Sequence, residues 1–128
     1  MSRQVIQTSE APQAIGPYSQ AISVPAGKLT FLSGQIPLDP QTGQLVSGDI
    51  SKETERVMEN LRAVLKGAGL EFSHVARCTI FLTDLNDFGK VNDVYGRYFP
   101  SAPPARATVQ VAALPKGARV EIDAIAVG

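Results

Sequence analysis

Apolar residues recur along this chain with two periods. Between residues 51 and 66, Val57, Leu61, Val64 and Leu65 stand at i, i+4, i+7 and i+8, which is one stripe of a helix. Asp49 or Ser51 is placed to cap its start, Glu53 and Glu55 suit its first turns, and Gly67 or Gly69 can end it. Residues 87–99 predict a second helix, with Phe88, Val91, Tyr95 and Phe99 on one side and Pro100 closing it. Elsewhere the period falls to two, the mark of strands. Short strands are expected near 4–8 and 18–24, then a turn at Pro25-Ala26-Gly27-Lys28 and a β-rich run at 29–33 ending at Gly34. Residues 34–50, broken by Gly34, Pro37, Pro40, Gly43 and Gly48, predict a long loop.

The strand at 75–83 divides into Ala76, Cys78, Ile80 and Leu82 on one face and Val75, Arg77, Thr79, Phe81 and Thr83 on the other. Two final strands follow at 105–111 and 119–127. The turn Leu114-Pro115-Lys116-Gly117 between them predicts that they are neighbours. Ala105, Ala107, Val109 and Val111 share a face, as do Val120, Ile122, Ala124 and Ala126, and both faces are expected beneath the helices. Arg106, Thr108 and Gln110, with Glu121 and Asp123, fall on the opposite faces. A sheet with both helices on one side leaves a bare second side, either wet or covered by another copy. That bare side also carries Phe81, Ile125 and Val127, so an oligomer with sites at its subunit seams is expected.

The chain has 128 residues, enough for one domain over 1–128 with a real core. Twelve basic residues balance twelve acidic ones, with no run of like charge. That argues against nucleic acid or an anionic membrane surface as partner. The first residues lack the apolar stretch of a secretory signal, and no segment approaches a membrane span. A single cysteine makes no internal disulfide, which fits a reducing, cytoplasmic setting.

Candidate chemistry centres on Arg106 and Glu121. If their strands are adjacent, a planar donor fork and a carboxylate meet in one small region. Arginine grips a planar anion such as a carboxylate at two points, and a glutamate beside it can move protons. The alternative for the pair is a buried structural ion pair or an interface contact. Tyr18 fits either the core or a site, Ser33-Gly34 either a strand end or a site, and Asn92 either a structural bridge or a site residue. His74 precedes Cys78 by four residues, about 13 Å along a strand and far beyond hydrogen-bond reach, which argues against a Cys–His dyad within the chain. No converging cluster of ligands predicts a metal. Gly27-Lys28 lacks a phosphate loop's other residues, and Gly67-Ala68-Gly69 follows a helix instead of opening one. Neither a metal nor another cofactor is expected.

Three ordered motifs carry a resemblance over nearly the whole chain: Ala14-Ile15-Gly16-Pro17-Tyr18-Ser19-Gln20-Ala21, Phe31-Leu32-Ser33-Gly34-Gln35-Ile36-Pro37, and Pro104-Ala105-Arg106 through Leu114-Pro115 to Val120-Glu121-Ile122. Together they resemble the Rid family, the reactive intermediate deaminases, also called YjgF-like proteins. The resemblance implies an α+β subunit of the chorismate-mutase-like type, a mixed sheet backed on one face by two helices, assembled as a homotrimer with clefts between subunits. It implies hydrolysis of 2-imino acids, or their 2-aminoacrylate-type enamine tautomers, to 2-oxo acids and ammonia. Arg106 matches the family arginine that holds the substrate carboxylate, and Glu121 the glutamate that handles protons around water. Tyr18, Ser33 and Gly34 match cleft residues, as does Asn92. Many bacterial members carry Cys two residues after the arginine, where this chain has Thr108. A thiolate mechanism is thereby excluded, while Thr108 can still line the pocket. Two further readings stand beside this one: a regulatory module that binds a small carboxylate without turnover, and a ribonuclease or translation inhibitor.

Overall fold

The structure, a computed structural model, describes residues 3–46 and 48–128. Met1 and Ser2 of the N-terminal segment and Ser47 of the loop at 34–50 lie outside the described residues. Among the described residues, six strands and two α-helices follow in the order β1 Gln4–Ile6, β2 Ala21–Ser23, β3 Leu29–Gln35, α1 Ile50–Gly67, β4 Val75–Leu82, α2 Phe88–Arg97, β5 Ala105–Gln110 and β6 Val120–Val127. The two N-terminal strands are shorter than expected and pair with each other as a small antiparallel ribbon.

Helix α1 begins where the Asp49 carboxylate accepts the Lys52 N–H at 2.9 Å. Beyond its last turn, Gly69 takes a left-handed φ of 73°. The Leu70 N–H then returns to the Leu65 carbonyl (2.8 Å) and the Gly69 N–H to Lys66 (3.0 Å), so a glycine-turned cap satisfies the open carbonyls. The buried stripe is Thr54, Val57, Met58, Leu61 and Leu65. Val64, expected on it, is 42% exposed. Met58 lies nearer the centre of the stripe and takes its place. Burying a side chain such as Leu61 contributes about 1.5–3 kcal/mol, and the Thr54 hydroxyl is satisfied by the Ile50 carbonyl at 2.7 Å.

The main sheet has the order β3-β6-β4-β5. β6 pairs antiparallel with β3 and β4, while β4 and β5 run parallel. Strands β5 and β6 are therefore not neighbours, against the expectation from the turn between them. A parallel pair needs a long crossover, and α2 supplies it between β4 and β5. The nine-residue connection 111–119 then steps past β4, through a turn at Pro115–Gly117 in which Lys116 has φ 59° and Gly117 φ 74°. Both helices cover one face, and Val57, Met58, Leu61, Leu65, Val91 and Tyr95 pack on Cys78, Ile80, Leu82, Val120, Ile122 and Ala124.

Register fixes which strand faces lie under the helices. Cys78 stands opposite Arg106, Ile80 opposite Thr108 and Leu82 opposite Gln110. Residues directly opposite share a face. Since Cys78, Ile80 and Leu82 are buried core, it is Arg106, Thr108 and Gln110 that face the helices, and Ala105, Ala107 and Val109 that face away. The expectation for β5 was the reverse. β5 is an edge strand, so its helix side is only partly covered and tolerates polar groups.

Two bulges re-aim side chains. In β4, Val75 and Arg77 pair with adjacent residues of β6, Ala126 and Ile125. The extra residue turns Val75 into the core, where it was expected to share Arg77's face. In β3, the pairing jumps from Leu32↔Ala124 to Gln35↔Ile122, so Ser33 and Gly34 share the space opposite one residue of β6.

Candidate functional site

Arg106 leaves β5 beneath the start of α2. Its Nη1 donates to the Asn92 side-chain oxygen at 2.7 Å. Its guanidinium carbon lies 5.2, 5.3 and 5.6 Å from the ring centres of Tyr95, Tyr18 and Phe88. Each contact is worth about 0.5–2 kcal/mol as a cation over an aromatic face. Burial pulls the Arg106 pKa down, and Tyr95 and Tyr18 push it back up. Among the described residues it pairs with no carboxylate, and most of its donors stay free. A half-buried cation held this way is poised for an anion.

The loop carrying Tyr18 is pinned to the entrance of β5. Ser19 is buried, its N–H donates to the Pro104 carbonyl (3.2 Å) and its hydroxyl to that of Pro103 (2.5 Å). Gly16 brings its backbone against the guanidinium, where an added Cβ would stand 3.7 Å from Nη2. Two residues on from Arg106, the Thr108 hydroxyl is buried with no hydrogen-bond partner among the described residues.

Tyr95 is fully buried under Arg106, its hydroxyl beside the Cys78 thiol without a partner of good geometry among the described residues. Burial pushes the Cys78 thiol up from 9.0 to about 12 and raises the Tyr95 phenol too. Cys78 is thus a neutral core residue, and the folded state keeps a proton that the unfolded chain sheds near pH 9. This stabilisation is complete below pH 9 and fades as pH rises through 9 towards 12. Urea midpoints are expected to fall over that range, with a shallower slope in Cys78→Ala. Parallel slopes for the two proteins would contradict the assignment.

Glu121 is elsewhere. It stands opposite Phe81, whose face is opposite to that of Cys78, so it projects from the uncovered side of the sheet. There its carboxylate lies across Gly34. A Cβ on Gly34 would sit 2.8 Å from the Glu121 side-chain carboxyl carbon and nearer still to Oε2. Ser33, exposed in the β3 bulge, completes this group. The structure therefore gathers the expected residues into two clusters on opposite faces: Tyr18, Asn92, Arg106 and Thr108 on one, Ser33, Gly34 and Glu121 on the other. It does not bring Arg106 and Glu121 together within a chain, because β4 intervenes and the side chains diverge. Phe88 and Tyr95, expected as one side of a packed helix, are also walls around the cation. Asn92 between them on that stripe was the available signal.

His74 sits at the far end of β4, where its Nδ1 accepts the Glu71 N–H at 3.1 Å. Among the described residues, no three or more His, Cys, Asp or Glu gather for a metal, and no helix is long and apolar enough to cross a membrane.

A mixed four-stranded sheet under two helices, with a caged arginine at one edge and a glycine-backed glutamate on its open face, defines a Rid-type α+β protein. The family model described as Endoribonuclease L-PSP matches residues 8–128, and the chain belongs to this family, the Rid or YjgF-like proteins. It is 70% identical over 127 residues to protein DfrA of Myxococcus xanthus, covering 99% of this chain and 97% of that one. It is 53% identical over 125 residues to the 2-iminobutanoate/2-iminopropanoate deaminase of Mus musculus, covering 98% and 91%. Among solved structures, E. coli TdcF with bound serine superimposes with a TM-score of 0.76 at 44% identity, covering 98% of each chain.

Proposed function

We propose that this protein is a hydrolytic deaminase that converts reactive 2-imino acids and their enamine tautomers to 2-oxo acids and ammonia, at sites completed by a second copy of the chain. The carrying observation is Arg106: a half-buried guanidinium walled by three aromatic rings, held by one neutral amide and, among the described residues, without a carboxylate of its own. A small carboxylate fits that vacancy in charge and shape. Relatives named as 2-iminobutanoate/2-iminopropanoate deaminases support the choice of substrate.

Water adds to C2 of the imine, and the carbinolamine then expels ammonia to leave the 2-oxo acid. Arg106 and Asn92 fix the carboxylate end. Glu121 takes a proton from the attacking water and returns it to the departing nitrogen. Imines hydrolyse in water unaided, so general acid–base help of roughly a hundred- to ten-thousandfold is sufficient. No metal or other cofactor enters this scheme.

The second copy follows from the sheet's uncovered face. Phe31 is 70% exposed there, next to Leu29 on β3 and near the Glu121 cluster, and Val109 is exposed on the same face at the other edge, on β5. A face of that apolarity around a functional carboxylate is suited to another subunit. A closed homotrimer, each seam joining one copy's Arg106 cluster to the next copy's Glu121 cluster, makes three equivalent sites. A cytoplasmic location suits a substrate released by other enzymes.

The test generates 2-iminobutanoate in situ with an amino-acid oxidase and follows 2-oxobutanoate and ammonia. Release above the spontaneous rate is expected, and its absence at micromolar protein would refute the reading. Gly34→Ala is expected to displace Glu121 and lower kcat about a hundredfold, with little change in KM. An unchanged kcat would separate Glu121 from the chemistry.

A further inference from the structure

Thr108 has a hydroxyl that the chemistry above does not use. Its oxygen is buried, and among the described residues nothing donates to it or accepts from it. A buried unpaired hydroxyl carries a desolvation cost unless something completes it. The side chain lies on the same face of β5 as Arg106, two residues and about 6–7 Å further along the strand. Beside Thr108 lies an open pocket of about 290 Å³ lined by Leu85, Phe88 and Thr108.

The pocket adjoins the anion anchor, with one residue as their shared wall. The Phe88 ring walls the Arg106 guanidinium and also walls this cavity. Its far end is built. Gln110, next along the same face, accepts the Leu85 N–H at 2.9 Å with its side-chain oxygen, which fixes Leu85 over the strand. The Gln110 oxygen is thereby occupied, and the buried polar atom without a partner among the described residues here is the Thr108 hydroxyl. Two apolar walls and one free hydroxyl describe a pocket for a short chain with a polar end.

We propose that the space between Leu85, Phe88 and Thr108 receives the substrate's side chain, and that the Thr108 hydroxyl selects 2-imino acids bearing a hydrogen-bonding group on that side chain over apolar ones of equal length. This rests on the deaminase reading and adds a preference to it. The substrate carboxylate occupies Arg106, C2 faces the second copy's Glu121, and the side chain runs along β5 towards Thr108. The hydroxyl then gains the partner that the described residues do not supply. An alkyl chain of the same size leaves it unpaired, and hydrogen-bonding sites discriminate strongly against such analogues.

The experiment measures kcat/KM for two isosteric pairs of imines made in situ by an amino-acid oxidase. One pair comes from serine and 2-aminobutyrate, the other from homoserine and norvaline. Wild-type protein is compared with Thr108→Val, which keeps the shape and removes the hydroxyl. In the wild type, the hydroxyl-bearing member of at least one pair is expected to be favoured by about tenfold, the scale of one hydrogen bond that is otherwise left unmade. In Thr108→Val that ratio is expected to collapse to about one or to invert. Leu85→Trp, which fills the cavity, is expected to depress the longer pair more than the shorter. Ratios for both pairs that are the same in wild type and Thr108→Val, whatever the absolute rates, overturn the proposal while leaving the deaminase reading intact. Equal losses for both lengths in a folded Leu85→Trp protein place the side chain elsewhere and also overturn it. Failure of the wild type to hydrolyse any imine overturns both.

Discussion

Arg106→Ala is expected to lower kcat/KM for 2-iminobutanoate hydrolysis by about a hundred- to a thousandfold. A guanidinium-to-carboxylate contact consists of two charge-assisted hydrogen bonds, and each contributes about 1.5–3 kcal/mol. Losing roughly 3–4 kcal/mol corresponds to two to three orders of magnitude in rate. The fold should stand. The substitution removes stacking on Tyr18, Phe88 and Tyr95 and one bond to Asn92. It also removes a half-buried cation with no carboxylate partner among the described residues, and the two effects largely offset. A thermal midpoint within a few degrees of wild type, with the rate gone, is the expected pair of results. Arg106→Lys is expected to restore little, because an ammonium lacks the planar fork and stacks poorly on the rings. A full rate in Arg106→Ala would remove the proposed anchor.

Two dead variants are expected to revive each other. Arg106→Ala and Glu121→Gln should each be inactive alone. Co-expressed in equal amounts, they should regain about a quarter of wild-type activity, because random assortment gives that fraction of seams one intact Arg106 and one intact Glu121. The expectation follows from the sheet. β4 lies between β5 and β6, and register sends Arg106 to the helix face and Glu121 to the open face. No small molecule touches both side chains of one copy from a single position. Assembly mass by light scattering, measured with the coupled ammonia assay, distinguishes the outcomes. A mixture that stays dead, or a fully active monomer, would show that the site is not shared. The same two variants, given RNA, test the activity named in the family description: cleavage that disappears with Arg106 would assign it to this site.

Local chemistry was written plainly enough to read. Asp49, the i, i+4, i+7 apolar spacing and the following glycines define α1 through short-range rules. The same holds for α2 and for the two-residue alternation of β4, β5 and β6. Arg106, Glu121, Tyr18, Ser33, Gly34, Asn92 and Thr108 could be singled out because short motifs mark them. What misled was the sidedness of β5. Alternation separates two faces without saying which is inside, and the small apolar set Ala105, Ala107 and Val109 looked like the buried one. The bulge at Ala76 was equally hidden, since one extra residue changes the side on which Val75 falls without changing its composition.

By itself, then, the sequence determined the elements, their caps and the residues able to do chemistry, because those depend on neighbours within a few positions. Only the tertiary structure decided that β6 enters between β3 and β4, that β5 runs parallel at the edge, and hence that the arginine and the glutamate leave opposite faces of one sheet. Strand order and register are settled by packing between residues far apart in the chain, where β4's side chains find the most burial at the centre. The turn before β6 left that choice open.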